Sequence, residues 1–206
     1  EENIEFLSSV WQRYKYFLIA GIFTIGSSIL GWEFWSESVN KKYQLASDLY
    51  ETFIDQVDNS SQDKIKVANE ILELFPNTLY ADLVTFHLAK IKVEDKNFNE
   101  AETYLQAILE RHSSRWGQRY DPIKETAKLR LARVLVANNK SKQALEIIGE
   151  SNQLNASLYE VKGDAYVQLD QIRQAKLSYL LAIESTQHSN IQAIIKMKLS
   201  DLEVRD

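Results

Sequence analysis

Gly163-Asp-Ala-Tyr166-Val-Gln-Leu-Asp-Gln-Ile-Arg-Gln-Ala175-Lys-Leu-Ser-Tyr179-Leu-Leu-Ala182 is the stretch that decides the fold. A small residue, Gly163, is followed 12 positions later by Ala175, and the same spacing joins Ala89 to Ala101 and Ala132 to Ala144. Self-similarity of this kind marks a chain built from repeated units. Around each pair the sequence alternates helical stretches of roughly 12–18 residues with short polar breaks. Small residues let the two antiparallel helices of one hairpin touch. Large ones, here Tyr166 and Tyr179, fill the gap between neighbouring hairpins.

These small–large–small positions resemble a tetratricopeptide repeat, so the expected fold class is all-α, an α-solenoid of helix pairs. The pairs are placed at about 40–57 with 61–75, 78–95 with 98–112, 121–139 with 141–150, and 156–170 with 171–185. Pro76 ends one helix, and Asn77 or Thr78 can cap the next. The first pair is irregular, because Ala46 and Ala68 stand 22 apart, and reads as a joint between solenoid and anchor. Ile191, Ile194, Ile195, Lys198 and Leu202 share a face of a closing helix, which would cover the open side of the last hairpin.

Ahead of the repeats lies an uncharged run of 17 residues, Tyr16 to Trp32, between Lys15 and Glu33. It spans roughly 26 Å as a helix, close to a hydrocarbon core of about 30 Å. Trp11, Tyr14 and Tyr16 flank one end and Trp32, Phe34 and Trp35 the other, as interfacial anchors do. Residues 16–35 are therefore expected to form one transmembrane helix. Arg13 and Lys15 precede it, Glu33 and Glu37 follow, and Lys41 and Lys42 come later; this favours a cytoplasmic tail at 1–15 and an exterior domain at 36–206. A cleaved signal peptide is the rival, but Gly31-Trp32-Glu33-Phe34-Trp35 is too bulky for a cleavage site. Ala20, Thr24, Ser27 and Gly31 form a stripe of small residues suited to helix packing in lipid.

The 206 residues carry a net charge of −5, two prolines, six glycines and no cysteine. A mildly acidic chain without a basic stripe argues against nucleic acid. Without cysteine there is no disulfide framework and no thiolate metal site. No Gly-rich phosphate loop, nucleophile elbow or His-Glu-x-x-His motif is present, so no enzyme activity, cofactor or metal is expected. His87, His112 and His188 lie far apart in the chain and read as surface or groove histidines.

What remains is binding. The repeat register places Leu83, Phe86, Lys90 and Val93, then Leu129, Arg133 and Val136, then Glu160, Asp164 and Val167 on the concave surface. Such a groove takes a peptide through apolar anchors, with charges setting direction. A second candidate contact is the loop Arg111-His-Ser-Ser-Arg115-Trp116-Gly-Gln-Arg119-Tyr120, rich in the residue types that dominate interface hot spots. Within it Arg115, Trp116, Arg119 and Tyr120 are the candidate contact residues.

The exit Gly31-Trp32-Glu33-Phe34-Trp35, the run Leu129-Arg-Leu-Ala-Arg133-Val, the run Glu160-Val-Lys-Gly163-Asp-Ala and the closing Lys196-Met-Lys-Leu-Ser-Asp-Leu resemble the YfgM family. Those proteins are ancillary subunits of the bacterial SecYEG translocon. The resemblance implies a Gram-negative inner-membrane protein with its repeat domain in the periplasm. It also implies association with SecYEG and with the membrane-anchored chaperone PpiD, in assisting newly exported proteins. Two other readings of the residues stand beside it: a membrane-anchored scaffold for another envelope complex, and a holdase gripping unfolded clients in its own groove.

Overall fold

The computed structural model describes residues 2–55, 61–113, 120–149 and 155–203. All regular structure among them is helical. The elements are α1 (Glu2–Asp55), α2 (Ser61–Leu74), α3 (Leu79–Glu94), α4 (Phe98–Arg111), α5 (Pro122–Ala137), α6 (Ser141–Gly149), α7 (Ala156–Gln168), α8 (Ile172–Glu184) and α9 (Ser189–Glu203). The second, third and fourth expected helix pairs are present, with bounds within a few residues.

The first hairpin differs from expectation. The span placed at 16–35 and the helix placed at 40–57 are one uninterrupted helix, α1, of 54 residues. At 1.5 Å per residue it is about 81 Å long. The sequence between Trp32 and Asp55 contains neither proline nor glycine, so nothing there breaks a helix. The polar segment after the aromatic exit is supported instead by Lys41 and Glu37, an i,i+4 pair at 2.7 Å. The joint is therefore a continuous helix rather than a hinge.

Three hairpin turns are built alike. Lys96, Asn139 and Asp170 adopt φ of 58°, 59° and 57°, the left-handed conformation that closes a helix. In each, the residue after it donates its N–H back to the helix it leaves: Asn97 to Lys92 O at 2.8 Å, Lys140 to Leu135 O at 2.8 Å, and Gln171 to Tyr166 O at 2.9 Å. The carbonyls of those same residues accept from Ala101, Ala144 and Ala175, the alanines of the sequence repeat, at 3.1, 3.1 and 3.0 Å. One backbone motif thus explains why the alanines recur. Each stands one turn into the second helix, at the narrow end of its hairpin, and each is fully buried.

Polar bridges tie consecutive turns together. Asn138 donates to Asn99 Oδ1 at 2.9 Å, and Lys140 pairs with Glu102 at 2.7 Å. Gln168 donates to the Val136 carbonyl at 2.9 Å and is also bonded to Ser141. Three apolar clusters run along the stack: one joins α1, α2 and α3 around Phe53, Ile71 and Leu88; a central one contains Leu105, Leu131 and Leu158; the last joins α7, α8 and α9 around Tyr179, Ile195 and Leu202. In the first, Tyr50 contacts Phe53 and Tyr80 at ring distances of 6.0 and 5.6 Å, and His87 meets the Phe53 edge at 5.4 Å.

Gly163 and Tyr179 meet inside one hairpin. The ring of Tyr179 lies on the glycine, and its hydroxyl donates to Asp164 Oδ1 at 2.7 Å. Tyr179 is buried, and it also belongs to the cluster that receives α9. The cover helix closes the stack as expected through Ile195 and Leu202, with Ile191 half-buried beside them. Ile194 departs from the expected face and is 54% exposed, because it sits at the edge of the stripe defined by positions 195 and 202.

Candidate partner-binding groove

The second and third hairpins set α3 and α5 side by side, leaving a groove of about 260 Å³ between them. Its lining comes from Phe86, Ala89, Lys90 and Val93 of α3, Leu105 of α4, and Arg130, Arg133 and Val134 of α5. The α3 residues follow the 3–4 spacing of a single helix face. Phe86, Ala89, Leu105 and Val134 are buried and make an apolar floor, whereas Lys90, Arg130 and Arg133 are exposed and make a basic rim. The Arg130 guanidinium stands 4.4 Å from the Phe86 ring centroid. Lys90 pairs with Glu94 and Arg133 with Glu160, both at 3.6 Å. The Lys90–Glu94 pair is exposed on both sides and worth little, so an incoming carboxylate can replace it.

Four of the residues placed on the concave surface come together here: Phe86, Lys90, Val93 and Arg133. The others do not line it. Leu83 is half-buried beside the groove, while Leu129 and Val136 pack against the central cluster. Glu160 and Asp164 are engaged by α9, through Lys198 at 2.8 Å to each carboxylate. Those contacts with Asp164 and Glu160 hold the Lys198 pKa above its ordinary value, despite the opposing effect of burial. Val167 packs into the last cluster. The acidic part of the expected surface is therefore consumed in joining the final hairpin to the cover helix. Arg130, absent from the expected set, is legible in retrospect as the helical neighbour of Arg133, three positions away.

Of the candidate loop, Tyr120 is 55% exposed, and Arg115, Trp116 and Arg119 lie outside the described residues. His112 is corrected: it is buried, not a surface or groove residue. Its Nδ1 lies 2.6 Å from Asp121 Oδ2 and its Nε2 2.8 Å from Asp82 Oδ2. Asp82 also accepts from Arg111 Nε at 3.0 Å, and Arg111 reaches Thr85 Oγ1 at 2.9 Å. Asp121 caps α5, accepting from the N–H groups of Ile123 and Lys124 at 3.0 and 3.2 Å. Two hairpins are thus bolted together by one polar cluster.

Along the apolar run of α1 the stripe Ala20, Thr24, Ser27 and Gly31 is exposed, as are Phe17 at 77% and Phe23 at 76%. Two hydroxyls there bond within the helix, Thr24 on Gly21 O at 2.8 Å and Ser28 on Thr24 O at 2.7 Å. This part of α1 is long and apolar enough to cross a membrane.

The class is thus defined by its architecture: a solenoid of helix hairpins with an open groove, carried on a helix long and apolar enough to cross a membrane. The chain belongs to the tetratricopeptide repeat-like domain family, whose model matches residues 9–204. It is similar to proteins named ancillary SecYEG translocon subunit across nearly its full length, in keeping with the family resemblance of its motifs. The relative from Aggregatibacter actinomycetemcomitans is 24% identical over 98% of this chain and 97% of its own. That from Haemophilus influenzae is 25% identical over the same shares, and that from Buchnera aphidicola of Acyrthosiphon pisum is 26% identical over 91% and 93%.

Proposed function

We propose that this protein is a non-enzymatic ancillary subunit of the SecYEG translocon, which links the channel to a PpiD-like periplasmic chaperone and assists newly exported proteins. The observation that carries the reading is the match to relatives so named over 98% of the chain, anchor and repeats together. In this reading residues 1–15 face the cytoplasm, 16–35 cross the inner membrane and 36–206 stand in the periplasm. The placement of Arg13 and Lys15 before the span supports that orientation.

The groove between α3 and α5 is the contact surface that the geometry favours. Its apolar floor offers a pocket for anchor side chains, and its rim offers Lys90, Arg130 and Arg133 to acidic groups of a partner. The same floor suits an apolar stretch of an unfolded client, which keeps the holdase reading as the second one. Charge reversal tests both without disturbing the core, because the rim residues are exposed. Lys90→Glu with Arg130→Glu in the full chain is expected to weaken capture of the chaperone or of an apolar acidic peptide about tenfold, roughly 1.4 kcal/mol, at unchanged melting temperature. Undiminished capture of both would remove the groove from the account.

A further inference from the structure

The continuity of α1 fixes how far the repeat domain stands from the anchor. The α2–α3 corner, Leu74-Phe75-Pro76-Asn77-Thr78, lies alongside Val39, Lys42 and Tyr43 of α1. Those residues follow Trp35 by 4 to 8 positions, which along a helix is about 6–12 Å. Headgroup and interfacial layers extend roughly 5–8 Å beyond the hydrocarbon core on each side. With residues 16–35 spanning that core, the corner begins within the headgroup layer and reaches a few ångström beyond it.

Its composition fits that depth. Leu74, 57% exposed, and Tyr43, 46% exposed, line the recess of this corner, and Leu79, 51% exposed, follows Thr78 at the start of α3. Lys42 lines the same recess, whereas Lys41 before it is paired with Glu37 at 2.7 Å. The backbone of the corner is held rigidly. Phe75 N–H donates to Ile71 O at 2.9 Å, and the N–H and hydroxyl of Thr78 reach Phe75 O at 3.2 and 2.8 Å. A rigid turn presenting leucines and a tyrosine beside Lys42 matches an interfacial contact, where apolar groups enter the acyl boundary and ammonium groups meet lipid phosphates.

We propose that the α2–α3 corner, with Tyr43 and Lys42 of α1, is a second membrane contact, and that it docks the repeat domain onto the bilayer surface. The occupant of this apolar corner is phospholipid. The inference rests on residues 16–35 crossing the membrane, and it does not require the translocon. Held at two points, the domain cannot swing freely about α1, and the groove keeps one orientation above the membrane.

The absence of cysteine from the chain makes the test direct. Single cysteines at Leu74, Leu79, Ile25 and Leu177 are labelled with an environment-sensitive fluorophore in the full-length protein. Each is reconstituted into vesicles of phosphatidylethanolamine and phosphatidylglycerol. Labels at 74 and 79 are expected to emit at shorter wavelength than the label at 177 and to be quenched by lipids carrying a quencher at the headgroup. The Leu177 site, on the last hairpin and 59% exposed, should show neither effect. Addition of Leu79→Asp to the Leu74-labelled chain should abolish the shift at 74. Emission at 74 and 79 indistinguishable from that at 177 would overturn the proposal. The label at Ile25 reports the span itself: if it is quenched from the acyl chains while 74 and 79 are not, the corner fails and the anchor stands.

Discussion

Gly163→Ala is expected to destabilise the repeat domain by about 2–3 kcal/mol, despite placing the best helix former where the poorest but proline now stands. A Cβ on Gly163 would lie 2.5 Å from Tyr179 Cδ1 and closer still to Cε1. The ring cannot retreat. It is buried in the cluster with Ala175, Ala182 and Ile195, and its hydroxyl is fixed on Asp164, which Lys198 also holds. The substitution therefore forces α7 and α8 apart or expels the tyrosine, and either opens the seat of α9. Gly149→Ala is the control, since a Cβ there meets nothing within 4 Å. That variant should be neutral or gain a few tenths of a kcal/mol. Urea unfolding of the full chain in detergent, followed by circular dichroism, separates the two. Tyr179→Leu combined with Gly163→Ala should recover part of the loss, because residues in contact do not act additively.

Removing His112 should cost more, about 3–4 kcal/mol for His112→Leu, as expected when one member of a buried charged cluster is deleted. Both ring nitrogens face carboxylate oxygens, and a neutral imidazole has only one N–H. Leucine would leave Asp82 and Asp121 buried without that shared donor. The loss should also depend on pH. Burial pushes the Asp121 carboxyl up, but His112 and the first N–H groups of α5 outweigh it, so its pKa lies below the usual carboxylate value near 3.8. A carboxyl depressed in the folded state contributes stability above its unfolded pKa and loses it as pH falls through the folded value. Wild type and His112→Leu should thus differ at neutral pH and begin to converge only as pH falls below the ordinary carboxylate value near 3.8. A difference independent of pH down to acid unfolding would mean that His112 matters through packing alone.

The hairpins were legible because their narrow ends admit little besides alanine or glycine, and that restriction survives in the chain as a spacing of 12. The turns between them left no such trace. Lys96, Asn139 and Asp170 hold a left-handed conformation that glycine would adopt more cheaply, so the usual marker of a helix end is missing at all three. The length of α1 was hidden for a different reason. Polarity changes sharply after Trp35, which looks like a boundary, yet nothing in that segment opposes helix. His112 could not be placed because its partners lie 30 and 9 residues away, and only the packing of α3 against α4 and α5 unites them. The groove was partly readable. The α3 face emerged from helical periodicity, but the rotation of α5 that brings in Arg130, and the seating of Lys198 on Glu160 and Asp164, depend on how hairpins stack.

In the proposed function, α1 carries the solenoid close to the membrane and the basic-rimmed apolar groove faces partners in the envelope. Capture of the tagged full-length protein from membranes in mild detergent, with its companions identified by mass spectrometry, tests that picture most directly. Enrichment of the SecYEG channel subunits together with a membrane-anchored periplasmic chaperone is the predicted result. Recovery of a different envelope complex, with the channel subunits at background, would contradict it.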